Sequence, residues 1–139
     1  MSRSDYSDAC DGWDLIRWRG AVRASIRGRR GQELLHGLRS ALDAMPEKRL
    51  IANSLIDETG DTCALGALGV ACGVIDKLRA VEAEDYEQVA RVFGVSEALV
   101  REIAFENDER YGDTPETRWN RMRAWAERNI QKDEGQPQP

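Results

Sequence analysis

The run Cys63-Ala64-Leu65-Gly66-Ala67-Leu68-Gly69-Val70-Ala71-Cys72-Gly73 contains no polar side chain. A segment without a polar stripe has no face to offer water, so the rest of the chain must surround whatever it forms. Thr62 or Asp61 can cap its start and Gly73 can close its end, which predicts a short helix buried on all sides. Gly66, Ala67 and Gly69 offer small surfaces where neighbouring elements can approach its backbone closely. The apolar run extends only to Ile75, too short to span a bilayer. The chain has 139 residues, 41% apolar and 32% charged, which suits one globular domain. Its polar start lacks the apolar core of a secretion signal. A cytoplasmic location and no membrane association are expected.

Helices are expected on both sides of the buried segment. Leu15, Trp18, Val22 and Ile26 recur at helical spacing between about Trp13 and Arg27, and Gly28 and Gly31 should break or bend this helix at its end. Leu34, Leu35, Leu38, Ala41, Leu42 and Met45 form the clearest stripe, stopped by Pro46. A last helix opens at Thr114-Pro115-Glu116 and carries Trp119, Met122, Trp125, Ala126 and Ile130. Between residues 49 and 63 the pattern predicts a short β-hairpin, with a turn at Asp57-Glu58-Thr59-Gly60-Asp61. The expected fold is therefore mainly α: one small domain of five or six helices at 13–130. A flexible start (1–12) and a disordered tail (131–139) are expected to flank it.

Residues 86–105 fit a helix-turn-helix template. Ala90 is small where the helices cross, Gly94 supplies the turn, and Ser96 caps the second helix. Val89, Phe93, Val95, Val100 and Ile103 take the buried positions. Template and electrostatics disagree, however. The positions expected to face solvent on the second helix are Glu97, Ala98, Arg101, Glu102 and Glu106, and phosphates repel such a surface.

The net charge of −5 is unevenly divided. Residues 1–49 carry 10 basic and 7 acidic side chains, whereas 50–109 carry 4 basic and 13 acidic. Arg17, Arg19, Arg23, Arg27, Arg29 and Arg30 follow one another with no acidic residue between them. Arg19, Arg23, Arg27 and Arg30 recur at spacings of three or four, which places them on one helix face. Guanidinium pairs with phosphate or carboxylate, so this is a candidate partner-binding face. The alternative is a solvated face balanced by the chain's own acidic segment. Nucleic acid is a possible partner, disfavoured by an acidic pI and the acidic second helix; a protein partner is favoured.

Chemistry is not encoded in any recognisable spacing. Cys10, Cys63 and Cys72 form no metal motif, and His36 is the single histidine. Cys63 at a helix start, with His36 as base, makes the best nucleophile pair, but nothing in the spacing specifies it. Glu106-Asn107-Asp108-Glu109 gathers oxygen ligands without the spacing of a calcium loop. No catalytic residue, metal or cofactor is expected, and the oligomeric state is not encoded.

Cys63-Ala64-Leu65-Gly66-Ala67-Leu68, followed some forty residues later by Ile103-Ala104-Phe105-Glu106-Asn107-Asp108, resembles a pattern of uncharacterised phage and prophage proteins. In that group a C-A-x-G-A-L helix precedes a second helix ending in N-D. The similarity covers roughly residues 30–130 and brings no known activity with it. It implies a mobile-element origin, and with it a small accessory protein that binds and modulates a macromolecular partner. A DNA-binding regulator using 86–105 and a cysteine-dependent enzyme using Cys63 and His36 are the alternatives.

Overall fold

The computed structural model describes residues 12–109 and 112–131, with the backbone alone for 12–15. The expected flexible start and disordered tail lie almost wholly outside these residues. Seven helices are described: α1 (Gly12–Arg27), α2 (Arg29–Ala44), α3 (Ala64–Cys72), α4 (Ile75–Arg79), α5 (Tyr86–Phe93), α6 (Glu97–Asp108) and α7 (Pro115–Asn129). None is long and apolar enough to cross a membrane. The short α4 is the helix that periodicity misses, since five residues cannot display a period.

The core follows the stripes. Leu34, Leu35, Leu38, Ala41 and Leu42 point inward from α2, and the helix ends as Met45 turns extended ahead of Pro46. On this face α2 packs against α3 and α7. Each fully buried leucine contributes about 1.5–3 kcal/mol of transfer free energy. From α7, Met122, Trp125 and Ala126 complete the wall. Thr114 and Thr117 close a reciprocal capping box at its start.

Helix α3 is buried only in part. Ala64 to Gly69 are enclosed, but Val70 is 54% exposed and Ala71 and Cys72 face outward. A helix of this length passes through the core and emerges, so its last turn lacks a covering neighbour. At Gly66 a Cβ would overlap the Leu55 carbonyl oxygen; the incoming loop crosses the helix backbone there, and only glycine permits it.

The expected β-hairpin does not form. Among the described residues the segment makes one isolated antiparallel bridge, Ile56 to Thr62. Three backbone bonds join its two arms (Ile51 N–H to Thr62 O, Cys63 N–H to Leu55 O, Asp57 N–H to Asp61 O), but other groups a ladder would need are taken by helices. The Leu50 N–H donates to Pro115 O at 3.0 Å, and the Leu50 carbonyl accepts from Arg118 Nη1 at 3.0 Å. The Ile51 carbonyl accepts from Asn107 Nδ2 at 2.9 Å. Asn53, in the left-handed region at φ 68°, donates its N–H to Asp108 Oδ1 at 3.0 Å. The hydrophobic pattern of a strand is present, but its backbone partners are divided between the segment's own second arm and α6 and α7.

Candidate partner-binding surface

Helix α1 lies at the edge of the fold, packed on α2 and α6. Trp18, Val22, Ser25 and Ile26 turn inward, while Arg19, Arg23 and Arg27 are exposed. The three recur every fourth residue, a stripe of roughly 12 Å at 1.5 Å per residue. Arg17 is also exposed and lies, by helical rotation, on another flank.

The stripe does not continue to Arg30 as the spacing predicts. Gly28 is extended (φ −70°, ψ 163°) and a new helix starts at Arg29. A Cβ at Gly31 would overlap the Ser25 carbonyl oxygen, so the two helices meet at a corner too tight for any side chain. Arg29 and Arg30 thereby occupy the first turn of α2. No acidic residue is in that turn, and Gly28 provides no side-chain cap. Arg30 reaches across the corner, its Nη1 donating to Gly94 O at 3.2 Å.

Among the described residues, Arg19, Arg23, Arg27, Arg29 and Arg30 make no ion pair. The rest of the fold treats arginine differently. Arg39, Arg49, Arg79, Arg91, Arg101, Arg118, Arg121 and Arg123 each hold a carboxylate. For Arg19, Arg23 and Arg27 the intramolecular balance that would make a merely solvated, self-compensated face is therefore not made by direct ion pairs among the described residues.

The pair at 86–105 takes shape as α5, a three-residue turn and α6. Gly94 adopts the left-handed conformation (φ 68°) and its N–H returns to Ala90 and Arg91. Ser96 Oγ caps α6 by accepting the Leu99 N–H at 3.2 Å. Val89, Ala90, Val100 and Ile103 are buried. The exposure of α6 differs from expectation. Ala98 is buried, Arg101, Glu102 and Glu106 are partly covered, and Glu97 is the one exposed residue of α6, its side chain 44% so. The cover is α1: Ser25 Oγ meets Ser96 Oγ at 2.6 Å, and Trp18 stacks 5.7 Å from the Arg101 guanidinium. Arg101 also lies 4.6 Å from the Tyr86 ring and pairs with Glu97 at 3.1 Å. A groove-reading helix needs one face free, and α6 is enclosed.

The remaining candidates are placed apart. Cys63 is fully enclosed, its Sγ accepting the Gly66 N–H at 3.5 Å as the α3 cap, while His36 faces solvent from α2. Among the described residues no three His, Cys, Asp or Glu side chains gather as a metal site. The Glu106-Asn107-Asp108 helix end is a structural junction. Asn107, 1% exposed, accepts the Ala64 N–H through Oδ1 at 3.1 Å and donates from Nδ2 to Ile51 O. Its own carbonyl accepts from Arg118 Nε at 3.0 Å. Arg121 holds Asp113 and the Glu106 carbonyl alongside. The two halves of the sequence pattern, Cys63-Ala64 and Asn107-Asp108, thus meet at a single hydrogen bond that satisfies a free N–H at the start of α3.

Two of the acid groups with altered affinity for protons lie where α2 meets α7, and a third, Asp57, is lowered chiefly by the Thr59 hydroxyl in the 57–61 turn. Hydrogen bonding from Arg123 holds Asp43 and Glu127 below their usual ranges, and Arg123 itself is raised by the same contacts. This cluster ties α2 to α7 and leaves the α1 face unbalanced. No protein family, curated protein or solved structure matches this chain, so the chemistry of the arginine surface rests on the chain's own residues.

Proposed function

We propose that this chain is a non-enzymatic accessory protein of the phage or prophage type that binds a macromolecular partner, a protein, through the surface of Arg17, Arg19, Arg23, Arg27, Arg29 and Arg30. The observation carrying this reading is the contrast in pairing. Arg19, Arg23, Arg27 and Arg29 are exposed without an ion pair, in a fold that pairs nearly all its other described arginines. Unpaired guanidinium groups on a rigid helix are ready to receive carboxylates, and their summed field steers an acidic partner toward them. Duplex recognition by 86–105 draws no comparable support, because α1 packs against α6 and meets it at Ser96 and Arg101. Free Cys63 and Cys72 suit a reducing compartment such as the cytoplasm.

The test combines capture with stability in the variant Arg23→Glu plus Arg27→Glu. The immobilised wild-type protein is expected to retain a protein partner from the source cell at about 50 mM salt and to release it as salt rises. The variant should retain none, while its unfolding free energy stays within about 0.5 kcal/mol of wild type. Equal capture by the variant, or a loss of several degrees in Tm, would mean that the arginines serve the fold.

A further inference from the structure

The arginine surface runs into a groove. Two depressions of about 370 and 210 Å³ lie end to end where α2 faces the α5–α6 turn, and they share Arg30, Gly94 and Val95. Their lining is divided by chemistry. Leu99 and Val95 line the first and Leu34, Leu68 and Phe93 the second, while Arg29 lines the first and Arg30 lines both. Arg30 spends one donor on Gly94 O, leaving four guanidinium N–H groups for other acceptors.

A basic edge above an apolar floor discriminates between anions. A phosphodiester backbone has nothing to place on leucine and phenylalanine, and nucleic-acid interfaces are correspondingly polar throughout. An amphipathic protein segment has both halves, apolar anchors for the floor and carboxylates for the edge. We infer that this groove seats the apolar side chains of an acidic amphipathic segment of the partner protein, its carboxylates held by Arg29, Arg30 and the adjoining α1 stripe. This rests on the arginine surface being the partner-binding face. Charge complementarity also sets a polarity: Glu33 lines the second depression and not the first and repels a carboxylate there, so the acidic residues lie over Arg29 and the first depression.

Gly37 allows the groove to be filled without touching the arginines. It is half-buried within α2 and lines the second depression; a Cβ there would sit 3.4 Å from Leu68 Cδ1, an ordinary contact. Gly37→Met places a flexible side chain in the depression and replaces a poor helix former with a good one. The probes are a fluorescein-labelled amphipathic peptide of glutamate and leucine, the same peptide with every leucine replaced by glutamine, and a short DNA duplex. The full chain should bind the leucine peptide at least about tenfold more tightly than the glutamine peptide, a difference of about 1.4 kcal/mol. Gly37→Met should remove that preference with its Tm unreduced, and Arg29→Glu plus Arg30→Glu should weaken both peptides. Equal affinity for the two peptides, no binding of the leucine peptide, an unaffected Gly37→Met, or tighter binding of the duplex than of either peptide would each overturn the inference. Partner capture that is lost in Arg23→Glu plus Arg27→Glu but kept in Gly37→Met would remove the groove and leave the arginine surface standing.

Discussion

Two groups of arginines divide this molecule. Two of α7 are structural: Arg118 is 9% exposed and spans Asn107 O and Leu50 O, and Arg121 holds Asp113, whereas Arg128 in the last turn is exposed. Those of α1 and the start of α2 are exposed, and from Arg19 to Arg30 none has a carboxylate. The same side chain is used at Arg118 as a bracket between backbone segments and at Arg19, Arg23, Arg27 and Arg29 as an exposed charge without a carboxylate. The difference lies in what the fold would lose. A buried guanidinium stripped of its partners costs several kcal/mol, whereas an exposed one costs little either way. Residue type therefore says little about an arginine's task, and environment says most.

The largest effects should come from breaking the structural group. Asn107→Leu fits the space but leaves the Ala64 N–H and the Ile51 carbonyl without partners. Arg118→Met leaves the Leu50 carbonyl likewise and the Asn107 carbonyl with only the longer bond from Arg121 Nη2 at 3.4 Å. Each should destabilise by about 3–5 kcal/mol, since several buried polar groups lose their hydrogen bonds together. Arg118→Lys should rescue little, because a single ammonium cannot reproduce the planar fork that spans two carbonyls. Urea unfolding measures this, and a loss under about 1 kcal/mol would show that the junction is ornamental to the fold.

A smaller effect separates the groups by pH. Asp43 and Glu127 have ordinary values of 3.8 and 4.5, and hydrogen bonds from Arg123 lower both in the folded state. The folded state thus holds its protons less tightly than the unfolded chain. The stabilisation is complete above about pH 4.5 and is lost as pH falls below 3.8 through the lowered values. Arg123→Gln should flatten this acid limb of a stability–pH curve, and Arg23→Glu plus Arg27→Glu should leave it unaltered. A limb that persists in Arg123→Gln would place the titration elsewhere.

Much of the scaffold was legible and much of the surface was not. The α2 stripe, the Thr114-Pro115 start and the Gly94 turn announce themselves because each depends on residues a few positions apart. The absent hairpin fails for the opposite reason. The Ile51 carbonyl and the Asn53 N–H find their partners on Asn107 and Asp108, more than fifty residues away, and no local pattern encodes that. The cover on α6 was hidden because its contacts with α1 include polar ones: Ser25 with Ser96, and Trp18 with Arg101. Polar side chains read as solvent-facing until a neighbour arrives. The break at Gly28 was foreseeable, but its consequence was not: the corner at Gly31 turns Arg29 and Arg30 away from the α1 stripe and toward the groove.

The smallest expected effect is the most pointed test of the comparison. Arg29 sits in the first turn of α2, where the helix dipole disfavours positive charge and no acidic residue or side-chain cap offsets it. A residue kept for the fold should not stand there. Arg29→Glu replaces an unfavourable charge with a favourable one and should raise stability by about 0.3–1 kcal/mol, a gain of about 1–4 °C in Tm. The same substitution should weaken capture of the partner and of an acidic probe peptide. Scanning calorimetry at low salt and a binding titration on one preparation would show both. A variant that is less stable than wild type would put Arg29 among the structural arginines. A gain in stability with a loss of binding would mean that this corner accepts instability in exchange for recognition.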